Sequence, residues 1–112
     1  MGLLNKIKKS FELKQNVPSV TSLKHTEKKI SELKKQFELN PKNPKILIQL
    51  YSCYVEISDL EKKIECLKTL SDISPNDFYP LQQLADIYLN ELDDVEKAQI
   101  YQNKANSIKN DF

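Results

Sequence analysis

Glu27-Lys28-Lys29-Ile30 and Glu61-Lys62-Lys63-Ile64 are the same four residues set 34 positions apart. A weaker third copy, Glu96-Lys97-Ala98, follows one residue late, at a spacing of 35. Each copy opens a segment of the same kind. The first runs from Glu27 to Leu39 and stops at Asn40-Pro41-Lys42-Asn43; the second runs from Glu61 to Ile73 and stops at Ser74-Pro75-Asn76-Asp77. The third runs from Glu96 to Ile108 and stops at Lys109-Asn110-Asp111. Between the copies, Leu47, Leu50, Tyr54 and Asp59 map onto Leu81, Leu84, Tyr88 and Asp93 at the same offset of 34. A fixed period of this size, built from paired amphipathic segments, predicts an all-α helix-turn-helix repeat solenoid.

Helical punctuation agrees with the period. Asn43 precedes Pro44, an N-cap followed by a proline at the first helical position, where its missing N–H costs nothing. The helix that follows, to about Ile57, sets Leu47, Leu50, Tyr51 and Tyr54 on one side at spacings of three and four. Ser58-Asp59 turns the chain, and Asp59 caps a helix carrying Leu60, Ile64, Cys66, Leu67, Leu70 and Ile73. That helix is apolar over much of its circumference, as an element packed on two sides must be. Asp77 caps the next, whose core face is Leu81, Leu84, Ala85 and Tyr88. Either Asp93 with Glu96, or Asp94 alone, caps the last. Val95, Ala98, Tyr101, Ala105 and Ile108 give this last helix one apolar face, and Gln99, Gln102, Asn103 and Asn106 give it a polar one. A polar outer face is what a terminal repeat needs.

Upstream of the regular units, the residues from about 20 to 39 place Val20, Leu23, Ile30, Leu33 and Phe37 on one side, with a polar gap near Thr26. They read either as one long helix or as two pieces nicked near His25. No well-formed partner precedes them, so this face is expected to need cover. Residues 3–14 form a short amphipathic pattern in which Leu3, Leu4, Ile7 and Phe11 share an arc of roughly 100°. Asn16-Val17-Pro18 then breaks the helix. The organisation is thus an amphipathic segment and linker over 1–18 and a helical domain over 19–112, with repeats at about 44–77 and 78–112.

Composition removes several function classes. The chain has one glycine, Gly2, so glycine-dependent tight turns and phosphate-cradling loops are not expected, and no cofactor is implied. All 17 basic residues are lysine. Without arginine the two-pronged contacts to phosphate and guanine are missing, which argues against nucleic acid as partner. His25 is the sole histidine, no serine or cysteine sits in a nucleophile motif, and Asp93-Asp94 is better explained by capping; the chain is not expected to be an enzyme. Cys53 and Cys66 lie inside helical patterns with no neighbouring ligand, as small apolar residues of a reducing, cytoplasmic chain, so no metal site is expected. No signal peptide or membrane-spanning run is present. Charge is divided unevenly: residues 1–45 carry 11 lysines against Glu12, Glu27, Glu32 and Glu38, while residues 46–112 carry 6 lysines against 12 acids. The two ends of the stack therefore differ in sign, which reads first as solvated faces that differ, and otherwise as steering of an anionic surface to the N-terminal end or head-to-tail self-association.

The pattern Leu47, Leu50, Tyr54, Asp59 followed by Pro75 resembles the tetratricopeptide repeat, a helix–turn–helix unit of 34 residues. The second unit matches through Leu81, Leu84, Ala85, Tyr88, Ala98 and Ala105, and residues 26–43 match in part, as an orphan second helix. The chain departs from the family where Tyr51 replaces glycine or alanine, where Lys63 and Leu70 replace alanine, and where Leu92 replaces the turn glycine beside one extra residue. The resemblance implies a fragment of right-handed superhelix that binds a partner's extended peptide or helix on its concave side. That side is offered by the first helix of each pair: Lys45, Ile48, Gln49, Ser52, Val55 and Glu56 from one, and Tyr79, Gln82, Gln83, Asp86, Leu89 and Asn90 from the next. It lacks the lysine/asparagine/arginine clamp with which chaperone-binding members hold a C-terminal carboxylate.

The function these readings predict is a non-catalytic protein–protein interaction module, of adaptor, scaffold or co-chaperone-like type. The alternative is a peripheral membrane protein at the inner face of a membrane, tethered weakly to anionic lipid by the stripe Leu3, Leu4, Ile7 and Phe11. The same stripe is better suited to cap the fold within the chain, and a monomer is favoured over a homodimer because like charges crowd in the lysine-rich half.

Overall fold

A computed structural model describes residues 20–111, with side chains from residue 22 to residue 110. The stripe Leu3, Leu4, Ile7 and Phe11 and the linker after it lie outside the described residues. Within them the chain forms α1 (Val20–Leu39), α2 (Pro44–Glu56), α3 (Leu60–Ile73), α4 (Tyr79–Asn90) and α5 (Val95–Asp111), and no strand. Residues 20–39 are one unbroken helix, which settles the choice at His25.

Backbones approach closely only between sequence neighbours: α1 with α2, α2 with α3, α3 with α4, and α4 with α5. That is the one-dimensional order of a helical repeat array. Two apolar clusters run along it. Ile30 and Leu33 of α1 join Ile46, Leu47, Leu50, Cys53 and Tyr54 of α2 and Cys66 and Leu70 of α3. Leu67 of α3 joins Leu84, Ile87 and Tyr88 of α4 and Ala98 of α5. The helix expected to be apolar on two sides, α3, indeed feeds both clusters. Leu67 and Leu84 have no exposed surface, and Leu50, Tyr54 and Tyr88 are buried as the periodicity requires. Ala98 and Ala105 are buried where α5 meets α4, and the absence of larger side chains lets the two backbones close on each other.

Caps repeat with the same period. Asn43 Oδ1 accepts from the Lys45 N–H at 3.0 Å, and Asp77 Oδ1 accepts from the Tyr79 N–H at 3.0 Å. Asp59 accepts from the Lys62 N–H at 3.1 Å, and Asp94, not Asp93, accepts from the Lys97 N–H at 3.1 Å. Asp94 therefore occupies the position of Asp59, and the extra residue falls before it. One expectation fails here. Backbone with positive φ does occur, at Ser58 (58°) and Asp93 (56°), each immediately before its capping aspartate. A residue without glycine's freedom takes the left-handed conformation because the αα turn between paired helices is too short to close otherwise.

Three departures from the family pattern acquire reasons. Tyr51, in place of a small residue, is half-buried and packs against both clusters, so it links the α2 core to the next one along the array. Lys63, in place of alanine, donates from Nζ to both carboxylate oxygens of Glu91, at 3.1 and 3.3 Å. Its side chain is only 12% exposed, which ties α3 to the residue that ends α4. Leu70 is buried in the first cluster.

Two expectations about the ends are corrected. Val95 does not join the apolar face of α5; it is 61% exposed, because it lies in the first turn, beyond the reach of α4. And α1 does not leave all of its apolar side open. Ile30 and Leu33 are buried and Phe37 packs beside them, so this part of the stripe is covered by α2 and α3, while Leu23 is half-buried and joins neither cluster. Positions on α1 one period before Cys66 and Leu70, the residues by which α3 packs on α2, are Glu32 and Gln36, both exposed. At these two positions the first helix is polar, whereas Leu39, one period before Ile73, is apolar and 81% exposed.

Candidate partner-binding face

The face opposite the cores of α2 and α4 is built by helix periodicity. On α2, Ile48, Ser52 and Val55 are spaced four and three, so they stack on one side while Leu47, Leu50 and Tyr54 turn inward. Ile48 and Val55 are each 47% exposed, and Lys45, Gln49 and Ser52 are exposed with them. On α4, Tyr79, Asp86, Leu89 and Asn90 are exposed and Gln83 is half-buried; Leu89 is 48% exposed. Of the twelve candidates, none is buried.

Three of them, Glu56, Gln82 and Asp86, are already engaged. Glu56 Oε2 lies 2.9 Å from the hydroxyl of Thr26, a buried polar residue of α1. The same hydroxyl lies 3.0 Å from the Ser22 carbonyl, so its single hydrogen is shared between two acceptors. Gln82 turns away from α2 toward α5, where it exchanges amide hydrogen bonds with Gln102 at 2.8 and 2.9 Å. It also donates to Asp86 at 3.3 Å and accepts from Lys109 Nζ at 3.2 Å. Gln102 donates on to Asn106 and Gln99 to Asn103, so side-chain amides saturate one another along the free edge of the last pair. This seam consumes Gln82 and leaves Ile48, Ser52, Val55, Gln83, Asp86 and Asn90 as the accessible centre.

Beneath that centre lies Tyr51, which periodicity alone counted as an ordinary core residue. Burial pushes its hydroxyl pKa up, and Tyr79, Glu91 and Asp86 push it further. The ring itself packs against both apolar clusters, on the side of α2 that meets the next repeat. The signal that could have found it was the substitution itself: a large residue where the repeat keeps a small one has to go between the helices.

Elsewhere the surface is less suited to a peptide. An open pocket of about 750 Å³ lies at the α3–α4 loop against the end of α5, between Ser74, Asp77, Phe78 and Ile108. Lys109 Nζ covers part of it, 4.8 Å above the Phe78 ring. On the outer side, a groove of about 560 Å³ between α3 and α5 has Leu81, Leu84 and Tyr101 as its floor and Lys68 and Lys104 at its rim. Tyr101 stacks on Tyr88 at 5.4 Å with the rings 4° from parallel, and Lys97 and Lys104 sit over the two rings at 5.5 and 5.4 Å. These contacts strengthen the α4–α5 pair.

Neither cysteine is a reactive group. Both are free and buried, and burial raises both thiol pKa values, that of Cys66 to about 11. At about pH 8 the native chain is expected to leave both unmodified by iodoacetamide, whereas urea-unfolded chain takes up two equivalents, read by intact mass. The Cys66 thiol also contributes to stability through its proton. Its folded pKa lies above the unfolded value of 9.0, so the contribution is whole below pH 9.0 and is lost as pH rises toward about 11. Thermal melts should accordingly fall across that alkaline window, and fall less in Cys66→Ala.

Among the described residues no cluster of histidine, cysteine, aspartate or glutamate could hold a metal ion, and no helix is long and apolar enough to cross a membrane. Residues 4–104 match the family model described as tetratricopeptide repeat protein 21 ARM repeat. No curated protein matches the chain.

Proposed function

Since the chain belongs to the tetratricopeptide repeat protein 21 ARM repeat family, a family of helical repeats, we propose that it is a non-catalytic interaction module that binds a segment of another protein across α2 and α4. The observation that supports this reading is the exposure of Ile48, Val55 and Leu89, each close to half accessible, on a face otherwise made of amides and short polar side chains. Scattered apolar contacts with a few orienting polar groups are what a modest protein interface uses. The face is shallow, so binding energy comes from a small number of anchors and not from enclosure. Tyr51 beneath it links the α2 core to the next one along the array, which sets the register in which a partner's side chains meet Ile48 and Val55.

Ile48→Glu and Leu89→Lys test the site. Each inserts a charge into the apolar contact without touching the two cores. Affinity purification from the native cell should recover a partner with the parent chain and lose it with either variant, while circular dichroism and melting temperature stay close to the parent. Loss of fold in these variants would show the face to be core, and retained binding in both would remove the site.

A further inference from the structure

Two hollows on the outer side of the array are the same place one repeat apart. Between α1 and α3, Leu47 and Leu50 line a recess of about 130 Å³, with Phe37 beside them. Between α3 and α5, Leu81 and Leu84 take the corresponding positions in a groove of about 560 Å³. The rest of the lining corresponds too. Lys34 becomes Lys68 at the offset of 34, and Cys66 and Thr69 become Tyr101 and Lys104 at the offset of 35. Phe37 becomes Ser71. In the first recess the half-buried Phe37 packs against the apolar cluster and narrows the space. In the second the chain supplies no such ring, and the groove stays open even though Tyr101 is larger than Cys66. The rims differ in charge as well. At the first, Lys62 is tied to Glu65 at 3.2 Å. At the second, Lys68 and Lys104 are exposed, and neither makes an ion pair among the described residues. Asp72 is the acid in that lining, so the lysines outnumber it.

We propose that the α3–α5 groove is a second docking site, which takes one aromatic side chain from an acidic segment of another protein. The incoming ring does for α3 and α5 what Phe37 does for α1 and α3. It covers Leu81 and Leu84 and lies against Tyr101, an aromatic contact the first recess cannot make. Carboxylates on either side of the ring meet Lys68 and Lys104. Lys104 is already poised over the groove, 5.4 Å above the Tyr101 ring. The lining comes from residues 68–72 of α3 and 101–108 of α5, one to two helical turns, which is too short for an extended segment. A single buried anchor therefore carries the contact, and the lysines select and orient it. The site is independent of the α2–α4 face, since it is built by the second helix of each pair.

Chemical-shift titration of the isotope-enriched full chain tests this. The probe is a capped peptide with one phenylalanine between glutamates. Amide signals of Ser71, Tyr101 and Lys104 should shift and saturate, and replacing the probe's phenylalanine by alanine should abolish the shifts. Lys68→Glu with Lys104→Glu should weaken binding by about tenfold at low salt, with the fold intact because both side chains are exposed. Ser71→Phe should melt no lower than the parent and take up no probe, because its own ring fills the groove. Ile48→Glu and Leu89→Lys should bind the probe as the parent does, so this site and the α2–α4 face stand or fall separately. Absence of shifts at millimolar probe would overturn the inference, and so would shifts confined to Ile48 and Val55. Equal binding of a probe with lysines in place of its glutamates would overturn the acidic partner. Loss of fold in Ser71→Phe would overturn the equivalence with the Phe37 recess. Shifts at Ser71 and Tyr101 that grow with the concentration of the chain alone, and that Phe78→Ala removes, would overturn it in favour of a second copy, whose Asp77 and Phe78 are exposed.

Discussion

Leu67→Ala is expected to lower the free energy of unfolding by about 2–5 kcal/mol, the usual span for a large-to-small change at a buried site. Leu67 has no exposed surface and lies where α3 meets Leu84, Ile87, Tyr88 and Ala98. Its surroundings come from three helices, α3, α4 and α5, so no single side chain can swing in to fill the cavity. Domains of this size hold about 5–15 kcal/mol in total, and the loss is a large share of that. Urea unfolding followed by circular dichroism measures it as a lower midpoint at an unchanged slope. A midpoint equal to that of the parent would mean that Leu67 does not face α4.

Tyr51→Ala is expected to cost about 3 kcal/mol, near the lower end for aromatic truncation because the ring is only half-buried. The effect should differ in kind from that at Leu67. Tyr51 packs against both apolar clusters, and no other α2 side chain does so. Removing the ring takes away the link between the two clusters and loosens one repeat from the next. The unfolding slope should fall with the midpoint, and hydrogen exchange should show α1 and α2 opening before α4 and α5. Tyr51→Phe keeps the ring between the clusters and deletes only the hydroxyl; its stability should stay close to that of the parent. If Tyr51→Ala unfolds as one cooperative unit with the parental slope, the coupling runs elsewhere, through Lys63 and Glu91.

The contrast between these two residues shows what could be read from the sequence. Leu67 was legible because period and amphipathicity are properties of neighbouring residues: a helix apolar on two sides has to be interior. The same logic found the caps Asn43, Asp59 and Asp77, and left Asp94 as one of two choices, since one side chain and one nearby N–H decide each. Tyr51 was legible only as a departure, because its role depends on the distance between helices that are not adjacent in sequence. Gln82 was placed on the binding face by its spacing from Leu89, yet its amide is held by Gln102, twenty residues on. Spacing fixes the face of a helix from which a side chain leaves, and a partner beyond the next turn decides where it ends. Ser58 and Asp93 escaped for another reason: a left-handed residue was sought as glycine, but the closure of a short turn can impose it on serine or aspartate.

Close backbone approach confined to sequence neighbours also governs how the chain acquires its shape. Backbones close on each other only between helices separated by a single turn, so no long loop has to close before the first contacts are gained. Formation can start at any adjacent pair, and α4–α5, with its stacked tyrosines and amide seam, is the pair best equipped to be first. If growth runs from that pair toward α1 one helix at a time, α1 is expected to open before α2, which hydrogen exchange reads as earlier loss of protection in α1. When it leaves, Glu56 loses Thr26 and the inner side of α2 is uncovered while α4 and α5 remain assembled. The lifetime of the α2 face is thus set by the last helix to dock, whatever the intrinsic strength of the contacts a partner makes there.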